Sequence, residues 1–282
     1  MPIDLAVIGK ELPSLESMVT PKDVMLYALG VGAGADPDEL KFVYESGLQT
    51  LPTFGVIPSF PTLMNFVYMD GVEVDLVMLL HGEQYLEIRK QPIPTEGKFV
   101  SKPKVTAVYD KGKGALVELD VETVDAGGNT VFFNKYALFV RGEGGFGGEK
   151  SPAPGNEPPE REPDKVVEMK TLPQQALLYR LSGDRNALHA DPAMAAMAGY
   201  DRPILHGLCT FGHAGRAVLG AYCDNDPAKF KAIKVRFSRH VFPGETIVTE
   251  MWEESPGKIV IRCKAAERDE YCLTNAAVWL NV

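Results

Sequence analysis

Residues 179–192 read YRLSGDRNALHADP, and residues 202–210 read RPILHGLCT. The first stretch places a carboxylate, a carboxamide and an imidazole, those of Asp184, Asn186 and His189, around a turn that contains glycine. Side chains in such a turn follow neither a helical stripe nor a strand alternation, so all three can converge on one small volume. The second stretch adds Gly207 at the start of an apolar segment. These groups are the ones that proton transfer beside a carbonyl requires.

The residues after this turn predict a helix. Asp191 is a suitable N-cap and Pro192 suits the first helical position. The candidate residues are therefore expected on a loop that is held at both ends. The alternative is that Asp184 and Asn186 only satisfy amide groups of the turn while His189 is a hydrogen-bonded core residue. For any one of these residues alone, that alternative is the more common case.

Taken together, the residues resemble the signature of the hydratase 2 family, the (R)-specific 2-enoyl-CoA hydratases. This family includes MaoC-like proteins and the hydratase portion of peroxisomal multifunctional enzymes. One departure is Ala187, where the family usually has proline; the polar trio is intact, so we expect the chemistry to survive. The resemblance extends over nearly the whole chain in the family's order, at residues 27–32, 51–54, 81–85, 110–112 and 144–148.

The resemblance implies reversible syn hydration of trans-2-enoyl-CoA to (R)-3-hydroxyacyl-CoA. Asp184 and His189 would hold the attacking water, and Asn186 would orient the water or the pair. Which of the pair is the acid and which the base stays open, because a coupled pair titrates as a unit. The backbone N–H of Gly207 would meet the negative charge on the thioester oxygen. No metal or separate cofactor is expected, since coenzyme A is part of the substrate.

The resemblance also suggests substrate contacts from four further residues. His81, Gly82 and Phe237 would touch the acyl-CoA through the backbone or by ring packing, and Lys111 would meet a phosphate. The alternatives are structural: the first two end a strand over residues 72–80, Lys111 is a charge at a hairpin tip, and Phe237 belongs to the core.

Three other features are interpreted without a catalytic role. We interpret His206 and His213 as structural, the former because the amide of its neighbour matters more than its ring. The glycine-rich residues 144–148 could cradle a phosphate, but no convincing helix start follows them, so a flexible connector is an equal alternative. The four cysteines have no metal-ligand spacing and are expected to be buried thiols.

A formal net charge of −9 argues against general binding of nucleic acid or anionic membranes, which require a basic surface. An anionic ligand such as coenzyme A must then be met by local cations. No apolar run reaches the length of a membrane span, and neither end of the sequence shows a secretory or a peroxisomal Ser-Lys-Leu signal, so we expect a cytoplasmic protein. The cations available for coenzyme A are Arg89, Lys90, Lys111, Arg236 and Arg239.

The chain divides at residues 142–164, where six glycines and five prolines exclude a packed element. A tyrosine, Tyr27 or Tyr179, precedes a helical region and then strands in each half, which indicates an internal repeat of a whole domain. Mainly antiparallel strands that wrap an apolar helix predict an α+β fold. The resemblance specifies two hot-dog domains that pack as a pseudo-dimer. The expected divisions are a first domain at 1–148, a linker at 149–165 and a catalytic domain at 166–282.

The two halves differ in chemistry. At the positions that match the polar trio, the first half has Gly32, Gly34 and Pro37. Residues 51–61 carry several prolines where the second half has an uninterrupted apolar segment, so the helix there is expected to be broken. We therefore expect the first half to supply an acyl-chain pocket and half of the coenzyme site. A homodimer of the whole chain is also possible.

Three rival functions are left open. A non-catalytic acyl-CoA-binding protein would have the same fold but no use for the complete trio. A metal hydrolase could use Asp184, His189 and Asp191, although no second histidine lies at ligand spacing. A hot-dog thioesterase could use the same oxyanion site for acyl transfer.

Overall fold

Strands dominate the computed structural model, which describes residues 3–72, 74 and 78–281. Within these residues, ten strands form one sheet in which each neighbouring pair is antiparallel. The strands are β1 Leu15–Val19, β2 Leu79–Ile88, β3 Gly97–Asp110, β4 Gly114–Asp125, β5 Thr130–Arg141, β6 Lys165–Lys170, β7 Phe230–Phe237, β8 Thr246–Ser255, β9 Lys258–Ala265 and β10 Glu270–Leu280. The α-helices are α1 Pro21–Gly30, α2 Thr62–Val67, α3 Gln175–Tyr179, α4 Pro192–Met197 and α5 Gly207–Cys223.

The strand order repeats between the two halves. The order β1-β3-β4-β5-β2 of the first half recurs as β6-β8-β9-β10-β7 in the second. The halves join where β2 pairs antiparallel with β7, with Glu83 opposite Arg236. Between the halves, residues 142–164 form no helix or strand. The prediction of a repeated domain is therefore confirmed.

The long helix α5 packs against strands β6, β7, β8 and β10 of the second half. Its residues from Leu208 to Leu219 are buried, and it ends where Asp224 adopts a left-handed conformation. Two of its glycines allow close contact with the first half. A Cβ at Gly215 would lie 2.4 Å from Cγ2 of Thr53, and one at Gly212 would lie 2.4 Å from Cγ1 of Val31. The uninterrupted helix predicted in the second half is thus present, and it packs against both halves.

The corresponding helix of the first half is broken, as the prolines predict. The chain forms a 3-10 turn at Pro52–Val56 and then only the short helix α2. The turn is itself buried: Phe54 makes an edge contact with Tyr27 at 5.6 Å, and Gly55 lies against the Phe132 ring. These side chains occupy the space beside the turn, so the acyl-chain pocket assigned to this segment stays a prediction.

Other elements expected from the sequence are found, with one correction. The strands predicted in the later part of each half are β4, β5, β7, β8, β9 and β10, and all four cysteines are free and buried. His81 and Gly82, however, do not end a strand over residues 72–80. They lie inside β2, which begins at Leu79. Residues 73 and 75–77 of the predicted strand lie outside the described residues.

Candidate active site

The loop with the polar trio is built from short turns. Gly183 adopts a φ of 138°, a conformation that favours glycine, and directs the chain into Asp184. One carboxylate oxygen of Asp184 accepts a hydrogen bond from the Asn186 amide at 3.1 Å, and the Asn186 side chain accepts one from Leu188 N at 3.0 Å. Both side chains therefore do satisfy turn amides, as the alternative interpretation expected. This bonding orders the loop and leaves the second Asp184 oxygen for other partners.

The helix predicted after the loop is α4, with Pro192 at its first position. Asp191 caps it by accepting a hydrogen bond from Ala193 N at 2.8 Å. The Asp191 carboxylate therefore caps α4, whereas the Asp184 carboxylate belongs to the loop of the polar trio.

Three side chains converge beside this loop. A carboxylate oxygen of Asp184 and one ring nitrogen each of His189 and His206 lie within 4.8 Å of one another. The two imidazoles stack, with centroids 3.7 Å apart and planes inclined by 27°. His189 Nδ1 donates to the Ile204 carbonyl at 2.9 Å, which leaves its Nε2 with the lone pair. Asn186 belongs to the same loop, and its side-chain oxygen accepts the turn bond from Leu188 N.

Burial keeps both imidazoles neutral. Burial, together with the neighbouring His189 and Arg180, lowers the pKa of His206 to about 2, although the bond to the Asp184 carbonyl acts to raise it. The pKa of His189 is also lowered by burial, although the Asp184 carboxylate and the bond to Ile204 act to raise it. At neutral pH the cluster therefore contains a neutral imidazole, whose lone pair can accept a proton, beside a carboxyl group.

The start of α5 lies next to this cluster. His206 is the N-cap residue and makes no side-chain cap hydrogen bond, and Gly207 is the first residue of the helix. The first N–H groups of a helix have no partner within it and carry the positive end of its dipole. The ring of Phe237 packs on Gly207, where a Cβ would lie 3.1 Å from two ring carbons. The first N–H groups of α5 are thus available to an anionic oxygen, and the Phe237 ring packs beside them.

His81 extends this wall into the first half. Its ring lies 4.8 Å from Phe237 and 5.5 Å from Tyr136, measured between centroids. Gly82 follows at a β-bulge, where the register of β2 against β5 shifts and a Cβ would lie 3.2 Å from the Ala137 carbonyl. Burial lowers the pKa of His81 to about 4. The structure therefore brings His81 and Phe237 together with Gly207 across the junction of the two halves.

Lys111 lies apart from this group, in the exposed turn between β3 and β4. Its ammonium donates to the Ser151 hydroxyl at 2.6 Å.

The neighbouring glycine-rich segment does not present a free phosphate cradle. The amides of Gly145 and Gly147 donate to the Asp110 carboxylate at 2.8 and 2.7 Å, and these bonds lower the pKa of Asp110. A protein carboxylate thus holds the place that a phosphate would need.

Most of the other cations proposed for coenzyme A have protein partners. Arg89 pairs with Glu87 at 3.2 Å and Lys90 with Asp125 at 2.5 Å. Arg236 pairs with a carboxylate of β2 at the junction of the two halves. These cations are thus less available to a ligand than the sequence suggested.

Unsatisfied buried polar atoms concentrate at this place. Within the described residues, nine buried side-chain nitrogen or oxygen atoms have no hydrogen-bond partner. Such atoms are uncommon in folded proteins and indicate a site for water or ligand. Four of them belong to the loop and the start of α5, namely Tyr179 Oη, Arg180 Nε, Ser182 Oγ and His206 Nδ1.

His206 is the residue that the sequence interpretation missed. The argument against a metal ion was that no second histidine lies at ligand spacing, and this premise is wrong in three dimensions, because His206 reaches the cluster from another segment. By distance alone, Asp184, His189 and His206 could hold a metal ion. The only signal in the sequence was the position of His206 directly before Gly207.

The matching place in the first half holds a structural ion pair instead of a polar trio. Arg216 of α5 donates to both carboxylate oxygens of Glu39, at 2.6 and 2.7 Å, and to the Val31 carbonyl at 2.6 Å. Glu39 also accepts a bond from Gly34 N at 3.0 Å. Both side chains are almost fully buried. The first half thus uses this segment to bind α5.

Comparisons with known proteins show the family of this chain. Residues 18–142 match the family model of the MFE-2 hydratase 2 N-terminal domain, and residues 155–274 match the MaoC-like domain. A Dictyostelium discoideum protein named "Probable enoyl-CoA hydratase 2" is 46% identical over 95% of this chain and 93% of its own length. The chain belongs to the hydratase 2, MaoC-like family. An Arabidopsis thaliana relative named "Enoyl-CoA hydratase 2, peroxisomal" is 40% identical over 95% of this chain and 92% of its own length.

Longer relatives contain the same unit. The chain is 48% identical to a Neurospora crassa peroxisomal hydratase-dehydrogenase-epimerase, with 96% of this chain covered, but it spans only 31% of that protein. Among solved structures, a MaoC-like dehydratase from Phytophthora capsici has a TM-score of 0.90 at 36% identity, covering 99% of this chain and 98% of the other. A Mycobacterium tuberculosis protein described as a double hot-dog fold has a TM-score of 0.58 at 14% identity over 97% and 96% of the two chains. The predicted fold class is confirmed.

Membrane insertion by a helix finds no support. None of the helices in the described part of the chain is long and apolar enough to cross a bilayer.

Proposed function

We propose that the chain catalyses the reversible syn hydration of trans-2-enoyl-CoA to (R)-3-hydroxyacyl-CoA, the hydration step that β-oxidation uses. The observation that carries the proposal is the convergence of Asp184 and His189 beside the free start of α5. Relatives named enoyl-CoA hydratase 2 that match nearly the whole chain support the same reaction. The (R) outcome and the residue roles are the finer parts of the proposal.

In the proposed reaction, a water molecule is held between Asp184 and His189. The pair removes a proton from the water as its oxygen bonds to C3 and returns a proton to C2, so that the pair ends the step with the protons it began with. Because both groups lie on the same side of the substrate, the two additions are syn. His189 enters this step neutral, with the lone pair on Nε2, because Nδ1 is fixed as the donor to Ile204. Asn186 holds the loop in which Asp184 is ordered.

Negative charge develops on the thioester oxygen as C3 is attacked. We assign its stabilisation to the backbone N–H of Gly207, which is aimed out of the helix and is supported by the dipole of the 17-residue helix. A Cβ at this position would lie 3.1 Å from the Phe237 ring, so the ring would have to shift to admit a side chain. We therefore expect the oxyanion site to favour glycine at this position.

The remaining assignments concern the substrate and its surroundings. We assign His81, Gly82 and Phe237 to the walls around the thioester, Lys111 to a phosphate of coenzyme A, and the acyl chain to the first half. A surface cleft of about 460 Å³, lined by residues 10–13, 65 and 68–70, shares no residue with these walls. Coenzyme A enters as part of the substrate, so we propose no separate cofactor. Domain limits of 1–148 and 166–282, a homodimer and a cytoplasmic location stay predictions.

The proposal is tested with purified protein and crotonyl-CoA. We expect loss of the absorbance of the conjugated enoyl thioester, with no release of free coenzyme A thiol and no effect of a chelator on the rate. Release of thiol without loss of the enoyl group would identify a thioesterase. Binding of acyl-CoA without either change would identify a non-catalytic protein, and a rate abolished by chelation would identify a metal enzyme.

A further inference from the structure

His206 contacts each part of the proposed machinery. Its ring stacks on His189 at 3.7 Å, and its Nε2 bonds to the backbone carbonyl of Asp184 at 3.1 Å. It is also the N-cap residue of α5, directly before Gly207. Only 1% of its surface is exposed. One buried side chain therefore joins the loop, the imidazole and the oxyanion helix.

The hydrogen bonds fix the protonation of this ring. A carbonyl oxygen only accepts, so Nε2 of His206 carries the hydrogen and Nδ1 carries a lone pair. Nδ1 is buried and has no partner within the described residues. The His206 ring is therefore neutral, and it covers one face of a second neutral ring. Neutral rings stack without the repulsion that a protonated pair would have.

The charged and titratable groups that act on this stack come from one stretch of the chain, residues 179–184. The Asp184 carboxylate acts on His189 and favours its protonation. Arg180 acts on His206 and opposes protonation of the His206 ring. Tyr179 lies beside His206, 5.0 Å away between centroids, with a hydroxyl that burial keeps neutral. Burial is thus the main influence that opposes protonation of His189, and the His206 ring covers one face of it.

Metal binding by the same three side chains is a weaker explanation of the stack. The lone pair of an imidazole lies in the plane of its ring. In two rings stacked with planes inclined by only 27°, the lone pairs lie in two nearly parallel planes and do not converge on one ion. The stack therefore fits support of one ring by the other better than joint coordination.

We propose that His206 is a positioning residue of this site: it anchors the Asp184 backbone through Nε2 and holds the His189 ring desolvated and in place through the stack. This inference rests on the proposed hydration. His206 acts through Asp184 and His189 and makes no contact of its own with the reacting atoms.

Two variants separate the two contacts. His206→Gln keeps a donor near the Asp184 carbonyl but removes the ring, whereas His206→Phe keeps the ring but removes the donor. We expect each to lower kcat by about 10- to 100-fold, as small misplacements of catalytic groups do, with KM changed by less than about threefold. In His206→Gln, water reaches His189, so the acid limb of the pH–rate profile moves to higher pH. In His206→Phe the acid limb stays in place.

His213→Gln is the matched control. His213 is also buried in α5, with Nδ1 bonded to the Cys209 backbone carbonyl, but it touches none of the proposed catalytic groups. We expect its kcat and pH profile to remain those of the wild type. An equal loss of rate in His213→Gln would show that any buried imidazole of the helix matters, and it would overturn the inference.

A titration of the histidine ring signals by NMR provides a readout that needs no activity. The signal of His189 is assigned by its loss in His189→Gln, and we expect it to titrate at higher pH in His206→Gln than in the wild type or in His206→Phe. An unchanged His189 titration in His206→Gln, or wild-type kcat in both His206 variants, would overturn the inference. Absence of hydration in the wild type would refute the proposed function instead, and the titration would still test the stack.

Discussion

The ring of Tyr27 in the first half lies against the ring of Tyr179 in the second, with centroids 6.0 Å apart. The two residues hold equivalent places in the internal repeat, and both are fully buried. Beyond Tyr179 the chain leads to Asp184, whereas beyond Tyr27 it leads to Gly32 and the buried Glu39. The pair therefore marks the point from which two halves of one fold differ in their chemistry.

The first prediction concerns the two proposed acid–base groups. Asp184→Asn and His189→Gln should each lower the hydration rate by at least about 100-fold, since positioned acid–base groups typically contribute 10²–10⁴. Steady-state kinetics with crotonyl-CoA measures the loss, and circular dichroism checks the fold. Asp191→Asn is the control, because asparagine caps a helix as well as aspartate does, and it should keep the wild-type rate. Wild-type turnover in either folded test variant would exclude the two-group mechanism.

The second prediction concerns stereochemistry. Hydration of a trans-2-enoyl-CoA should give the (R)-3-hydroxyacyl-CoA, since water is expected on only one face of the substrate. Coupling to an (R)-specific hydroxyacyl-CoA dehydrogenase should then reduce NAD, and coupling to an (S)-specific enzyme should give no signal. Rapid oxidation in the (S)-specific assay would contradict the assignment.

A third prediction concerns the oxyanion site. Gly207→Ala places a methyl group 3.1 Å from the Phe237 ring and should lower kcat by at least about tenfold. This loss should be smaller than the 10²–10³-fold loss expected when an oxyanion donor is removed completely. Gly220→Ala is the control in the same helix, because its Cβ would meet only Asn225 Oδ1 at 3.5 Å. It should keep the rate and increase the free energy of unfolding by up to about 1 kcal/mol. Equal rates for the two variants would argue against the oxyanion role.

The fourth prediction concerns stability at acid pH. Burial lowers the pKa of His206 to about 2 and those of His81 and His213 to about 4, below the unfolded value of about 6.5. Below pH 6.5 the unfolded chain therefore binds protons that the folded chain does not. The free energy of unfolding should fall from pH 6.5 to 4 by up to about 1.4 kcal/mol per pH unit for each histidine.

Urea unfolding at several pH values measures this slope. His213→Gln should reduce it over the same range, because one buried imidazole is removed. The free energy of unfolding should be nearly independent of pH between 6.5 and 8 as far as these residues are concerned. A curve that stays flat from pH 6.5 to 4.5 would contradict the burial of neutral imidazoles.

The fifth prediction concerns the ion pair between the halves. Glu39→Gln should destabilise the fold by about 3–5 kcal/mol, because it leaves Arg216 charged and buried without its partner. Adding Arg216→Met should recover part of the loss. The exposed pair Lys98–Glu16 is the control, and Lys98→Ala should have little effect on stability. Chemical denaturation measures each variant; a double variant as unstable as the sum of the single ones would show that the pair is not coupled.

The sequence predicted the elements whose signals are local. The prolines of residues 51–61 indicated a broken helix, the apolar segment after Gly207 indicated a long one, and Asp191 indicated the start of α4; all three are found. Each of these signals acts within one or two helical turns, so it can be interpreted without knowledge of the fold.

Contacts between distant segments could not be predicted in the same way. His206 reaches His189 across 17 positions of sequence because residues 190–205 fold back, and the pattern of side chains does not encode that path. The glycine-rich segment at 144–148 looked open to an anion, but Asp110 from another strand already accepts its amides. Where a site is completed from another part of the chain, local spacing alone is insufficient.

Joining both halves in one chain has a consequence for how the fold can change. In a dimer of two identical chains, every substitution occurs twice, so a break in the central helix of one subunit would also break it in the other. Here β2 and β7 pair within one chain, and the halves carry different sequences. The first half therefore tolerates the prolines near Phe54 while the second keeps α5 intact. Symmetry of the sheet is retained, and each half is free to vary on its own.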